Sequence, residues 1–231
     1  MISVTNKFAA TVYVNDMLFP NFWDITINMI PNPAIGASDS DMAMDRIQYY
    51  IENMIDNSLL LGPAGAKLFD KNPMEIEGAC NLLPGDPLDY LFTVCLYTKF
   101  SSIVEKMLFI DSVVLESYQS NGLRHTYNSE DEKITPLHKI IDKEFLEYCD
   151  YWYGPDPGVF KLDADGLQLI KQTWSDFDLL FETSDEPNAS PSGAPSGDRL
   201  PFNKTPDENI IKLDSFRPKN SDDDDTTPTK A

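Results

Sequence analysis

From Trp23 to Met29 apolar and polar residues alternate one for one, with Asp24, Thr26 and Asn28 set between Trp23, Ile25, Ile27 and Met29. A period of two places the two sets on opposite faces of a strand, so 22–29 is predicted as a strand with one buried face. The run Lys7 to Val14 is β-branched and aromatic in the same way, and Asn15-Asp16 and Pro20-Asn21 supply turn residues between the two. The expectation is a hairpin with a longish connection, ended by Pro31, Pro33 and Gly36.

Helical spacing follows. Ser38, Asp39 and Ser40 offer capping oxygens, and Met44, Ile47, Tyr50 or Ile51, Met54 and Ile55 recur every three or four positions. This predicts an amphipathic helix of about four turns ending near Asp56. Leu59-Leu60-Leu61 is a short buried run closed by Gly62-Pro63, then a helical turn over 64–69 and a strand within 74–83. In Pro84-Gly85-Asp86-Pro87, Asp86 can cap and Pro87 can take the first helical position, where its missing N–H is harmless. The helix expected from there to about Lys106 is apolar round most of its circumference (Leu91, Phe92, Val94, Cys95, Leu96, Tyr97, Phe100, Ile103, Val104) and belongs in the core centre.

A strand over 107–115, the turn signal Ser120-Asn121-Gly122 and a return strand over 123–127 make a second hairpin. Beyond it the pattern predicts an exposed loop at 128–133 and a helix over 136–148. The aromatic run Tyr148 to Tyr153 and a rigid loop at 154–158 come next, then a short helix at 164–174 and an amphipathic end at 177–181. The fold class expected is α+β, a single domain with a mixed, largely antiparallel sheet packed by two or three helices. It spans 1–183. From 184 to 231 Pro, Ser, Gly, Asn and Asp dominate, the composition of a disordered tail, interrupted by one apolar cluster, Ile210, Ile211, Leu213 and Phe216 in 209–217.

Charge changes the picture. The chain has 38 Asp and Glu against 18 Lys and Arg, a net charge of -20. Residues 1–183 hold 28 acidic and 12 basic residues, so the excess belongs mainly to the body. A single-sign field of this size repels nucleic acid and anionic membrane and draws basic protein surfaces, so direct nucleic-acid and membrane partners are not expected. Met1 to Lys7 lacks a signal-peptide pattern, and no apolar run is long enough to span a bilayer. The expected location is cytoplasmic.

Each class of catalytic chemistry needs its own set of residues. Only His125 and His138 are present, neither with a metal-ligand companion at i+2 to i+4. Cys80, Cys95 and Cys149 form no CxxC pair and read as reduced, partly buried thiols. Gly62-Pro63-Ala64-Gly65-Ala66-Lys67 lacks the spacing of a phosphate loop. Asp222 to Asp225 lacks calcium-loop spacing. No catalytic residue, metal or cofactor is expected, so the chain reads as non-enzymatic. The candidate partner-binding residues are the tail cluster Ile210, Ile211, Leu213 and Phe216, the aromatics Tyr151, Trp152 and Tyr153, and the carboxylates Asp41 and Asp45, one helical turn apart.

Between residues 40 and 130, the stretches Asp45-Arg46-Ile47-Gln48-Tyr49-Tyr50 through Asn57-Ser58 and Leu83-Pro84-Gly85-Asp86-Pro87-Leu88-Asp89-Tyr90, with Leu96-Tyr97-Thr98-Lys99-Phe100, resemble uncharacterised proteins of large T4-like tailed phages. The resemblance implies a bacteriophage origin and no activity. Together these readings predict a protein that binds a partner with a basic surface in the infected cell, such as a nucleic-acid-processing protein, as regulator or DNA mimic. The alternative is a virion or assembly component.

Overall fold

The structure, a computed structural model, describes residues 1–71, 78–163 and 166–177. One eight-stranded sheet runs through it in the order β6-β5-β2-β1-β3-β4-β7-β8. Strands β1 (Ile2–Val14) and β2 (Met17–Pro31) form a long antiparallel hairpin. The connection is a tight two-residue turn rather than a longish one. Asn15 and Asp16 both take positive φ (51° and 59°), the geometry whose twist matches paired strands. Pro20 and Asn21 lie inside β2. Proline is tolerated there because β5 pairs with β2 only from Trp23 onward, leaving Pro20 on a free edge.

Helix α1 (Ala37–Tyr50) ends in a π-turn, Ile51–Ile55, which delivers the chain to β3 (Ser58–Leu61), parallel to β1. The Asp56 carboxylate accepts from the Ala9 amide at 2.8 Å, and the Asn57 amide donates to the Ala9 carbonyl at 2.7 Å, fixing where β3 begins. Helix α2 (Pro63–Lys71) follows, then β4 (Cys80–Leu82), parallel to β3. Residues 72–77 of the strand expected in 74–83 lie outside the described part. Helix α3 (Asp89–Val104) crosses the sheet and β5 (Leu108–Ser117) and β6 (Leu123–Asn128) close that side as the second hairpin, with Asn121 and Gly122 at positive φ.

Three expectations are corrected. Residues 128–133 are not a loop: Asn128 accepts from the Glu130 and Asp131 amides while Asp131 accepts from Asn128, a capping box that starts α4 (Ser129–Ile134). The helix expected over 136–148 breaks into α5 (Leu137–Ile140), a 3-10 segment (Lys143–Tyr148) and α6 (Cys149–Tyr153). Its apolar residues serve different places: Leu137 enters the main core, while Tyr148 packs on the second cluster across the sheet. The helix expected at 164–174 is a hairpin, β7 (Val159–Asp163) and β8 (Gly166–Ile170), closed by Gly166 at φ +100° and followed by a 3-10 turn, Trp174–Asp176.

The α+β single-sheet architecture is therefore present. The sheet is mixed, with β1, β3 and β4 parallel and the other neighbours antiparallel. On one face α1 and α3 cover Trp23, Ile25, Ile27, Val113 and Leu115 in the main core. On the other, α2 covers Tyr13, Leu59, Leu61, Leu82 and Leu162. Further along that second face, Phe22, Phe109 and Tyr118 stay more than half exposed. Among the described residues no helix is long and apolar enough to cross a membrane.

Candidate functional site

Parallel strands end together, and the loops leaving them converge; ligands of open sheets with parallel strands gather at such carboxyl ends. Here the loops after β3 and β4 meet backbone to backbone. A Cβ on Gly62 would lie 2.6 Å from the Gly85 carbonyl oxygen, and one on Gly85 would lie 2.9 Å from the Leu91 side chain. Glycine at both positions lets the two crossovers touch. Above this contact lies a groove of about 400 Å³ between Pro63 and Ala64, the segment Pro84 to Leu91, and Ile140 to Phe145.

The groove is apolar at its base and acidic in its charged lining. Leu91 is buried, Ile140, Ile141 and Phe145 are half-buried, and Leu88 and Tyr90 are 60% and 44% exposed. The charged side chains that line it are Asp86 and Asp142. Lys67 is not part of the lining, but its ammonium lies 5.5 Å from the centre of the Phe145 ring. Leu88 is exposed because it occupies the N-cap of α3 in an extended conformation, one residue before the helix turns its apolar positions inward. Pro87 thus stands outside the helix, and the cap has no side-chain acceptor. Instead Asp89, in the first turn, accepts from Trp23 Nε1 at 2.8 Å and from Ser120 Oγ at 2.6 Å, anchoring the groove wall to β2 and to the β5–β6 turn.

Behind the groove wall the aromatic run is split by burial. Trp152 is fully buried and donates its indole to the Leu82 carbonyl at 2.9 Å, so it packs the core and offers no surface to a partner. Tyr151 is half-buried, and its hydroxyl shares a hydrogen bond of 2.8 Å with that of Tyr50. Tyr153 is exposed; its hydroxyl takes the His138 amide at 3.3 Å and lies 3.2 Å from His138 Nδ1. Asp41 and Asp45 are half-buried on α1, away from the groove lining. The tail residues Ile210, Ile211, Leu213 and Phe216 lie outside the described residues. Among the described residues, the structure therefore does not gather the sequence-predicted ones into one site. Leu88 and Tyr90, which flank Asp89 at the start of α3, were missed, although two large apolar residues beside a proline-glycine loop are a readable sign of an exposed apolar edge.

Compared with known protein families and with curated proteins, the chain matches none.

A buried cation lies in the core. Lys99, on the apolar helix α3, is 1% exposed and donates to the carbonyls of Tyr151 (3.0 Å), Gly154 (2.9 Å) and Asp156 (2.7 Å). All three ammonium donors are thereby used, and the rings of Tyr151 and Tyr50 flank it at 4.3 and 5.5 Å. Burial lowers its titration to about 7, with Asp156 opposing. The site is closed, so its work is to hold α6 and the loop after it against α3. Burial likewise pushes the Cys80 thiol up to about 12 and Cys149 to about 11. Among the described residues no three His, Cys, Asp or Glu side chains converge as metal ligands would.

Proposed function

We propose that this protein acts by binding a partner protein through the groove at the ends of β3 and β4, taking a segment that carries apolar anchors between basic residues. The groove supports this reading: exposed Leu88 and Tyr90 border an apolar base whose charged lining residues are both carboxylates. An apolar segment gains its affinity by covering such side chains, while basic flanks find Asp86 and Asp142. The body's acidic excess adds long-range steering toward basic partners and against nucleic acid. Partners of this chemistry include the basic nucleic-acid-processing proteins of a phage or its host, with the acidic surface standing in for phosphates.

Fluorescence polarisation with labelled peptides of apolar anchors and either basic or acidic flanks tests the reading. The basic peptides should bind, weaken at least about tenfold between 50 and 500 mM salt, and lose binding to a Leu88→Asp variant. Binding that ignores both salt and Leu88→Asp rejects it.

A second reading, a structural or assembly component of a virion, draws on the uncovered sheet face with its exposed Phe22, Phe109 and Tyr118. Stoichiometric copies in purified particles, measured by mass spectrometry, would favour it.

A further inference from the structure

We infer that in the free protein the groove is covered by the chain's own segment Asn209–Arg217, which a partner must displace. The inference rests on the reading above and names the regulation of that same site. A chain of net charge -20 contains in 209–217 the chemistry the groove selects: Ile210, Ile211, Leu213 and Phe216 as anchors, with Lys212 and Arg217 outnumbering Asp214. The apolar anchors match Leu88, Tyr90 and Leu91, and the two cations match Asp86 and Asp142. Leu88 and Tyr90 are otherwise large apolar side chains left in water beside a concave surface.

Reach does not limit the docking. The last described residue, Phe177, packs on Tyr49 at 4.5 Å between ring centres. About 30 residues then separate it from Asn209, a length that extends to about 100 Å, against a domain roughly 40 Å across. Tethering on that scale gives an effective concentration near the millimolar range, so even a weak contact in cis is populated while a free peptide of the same sequence binds poorly. A partner with similar anchors and more basic flanks then competes in proportion to its surplus affinity, and the acidic body favours the more basic competitor.

A spin label on Ser215→Cys in the full ¹⁵N-labelled chain tests this. The native cysteines are buried, so the new thiol takes the label. Amides of Leu88 to Leu91 and Ile140 to Asp142 should broaden, and the broadening should vanish with Leu88→Asp or with Leu213→Asp/Phe216→Asp. A synthetic 205–220 peptide should shift the same amides in the Leu213→Asp/Phe216→Asp chain and bind it at least tenfold more tightly than wild type. No broadening, broadening elsewhere, or broadening only between chains of a mixed labelled and unlabelled sample overturns the inference. If the peptide still shifts the groove amides in that case, the groove reading stands and only the tail's assignment falls; if it shifts them in neither chain, both fall.

Discussion

Lys99 lies 4.3 Å from the centre of the Tyr151 ring and donates to the carbonyl of the same residue at 3.0 Å. One side chain thus grips both the side chain and the backbone of α6, and its remaining donors tie the next five residues down through Gly154 and Asp156. The groove wall at 140–145 lies just upstream of α6 in the chain. Replacing Lys99 with methionine, which keeps the length and loses the donors, takes a donor from three carbonyls, of which, among the described residues, only that of Tyr151 keeps another, the Gly154 amide at 3.4 Å. Lys99→Met should cost about 2–4 kcal/mol in urea unfolding at pH 7.

The same residue sets a pH dependence. Folded Lys99 titrates near 7, below its ordinary value of 10.5. Between these values the unfolded chain binds more protons than the folded one, so stability rises with pH across that window and is independent of Lys99 below about 6. The expected gain from pH 7 to pH 8 is about 1 kcal/mol. Urea titrations at both values should show it in the wild type and not in Lys99→Met. The unfolded thiols begin to ionise in the same window and act in the opposite sense, equally in both chains, so the Lys99 effect is read as the difference between wild type and Lys99→Met.

Asp89 joins the start of α3 to the sheet, and Trp23, whose indole it accepts, is buried. Asp89→Ala removes a charged acceptor from two donors and leaves the indole N–H unpaired. A loss of about 2–4 kcal/mol is expected, with Asp89→Asn costing less because one carbonyl oxygen remains. Chemical denaturation followed by tryptophan fluorescence gives the comparison.

Gly62 faces backbone, and backbone cannot turn aside as a side chain can. Gly62→Ala places a methyl group where the Gly85 carbonyl now sits, so the two loops must part. Thermal unfolding should reveal a loss of about 1–3 kcal/mol. Leu88→Asp, at an exposed position, should stay within about 0.5 kcal/mol of wild type in the same assay.

Cys80, Cys95 and Cys149 are buried and their thiols are raised by that burial. A thiol reagent at pH 7.5 should react slowly with the native protein and rapidly with all three after denaturation. Fast labelling of Cys95 or Cys149 in the native chain would contradict the packing of α3 against α6.

Much of the fold was legible because its signals are local. The alternation from Trp23 to Met29, the Asn121-Gly122 turn and the apolar circumference of α3 each depend on neighbours a few residues apart. The misreadings occurred where local preference was ambiguous. The helix expected over 164–174 overlaps β8, which pairs with β7 instead, and in Pro136 to Tyr148 the residues Leu137, Ile140 and Ile141 pack in one core while Tyr148 packs on the other. The candidate groove was less legible, since its lining comes from three stretches brought together by strand order.

By itself the sequence determined the α+β class, the main hairpins, the central helix and the acidic balance, because propensity, periodicity and charge are properties of short stretches. Tertiary structure alone decided that Trp152 is core, that Lys99 is buried among carbonyls, and that Leu88, Tyr90 and Ile140 share a groove. Burial and convergence depend on which distant segments meet, and that follows from packing the whole sheet rather than from any one segment's preference.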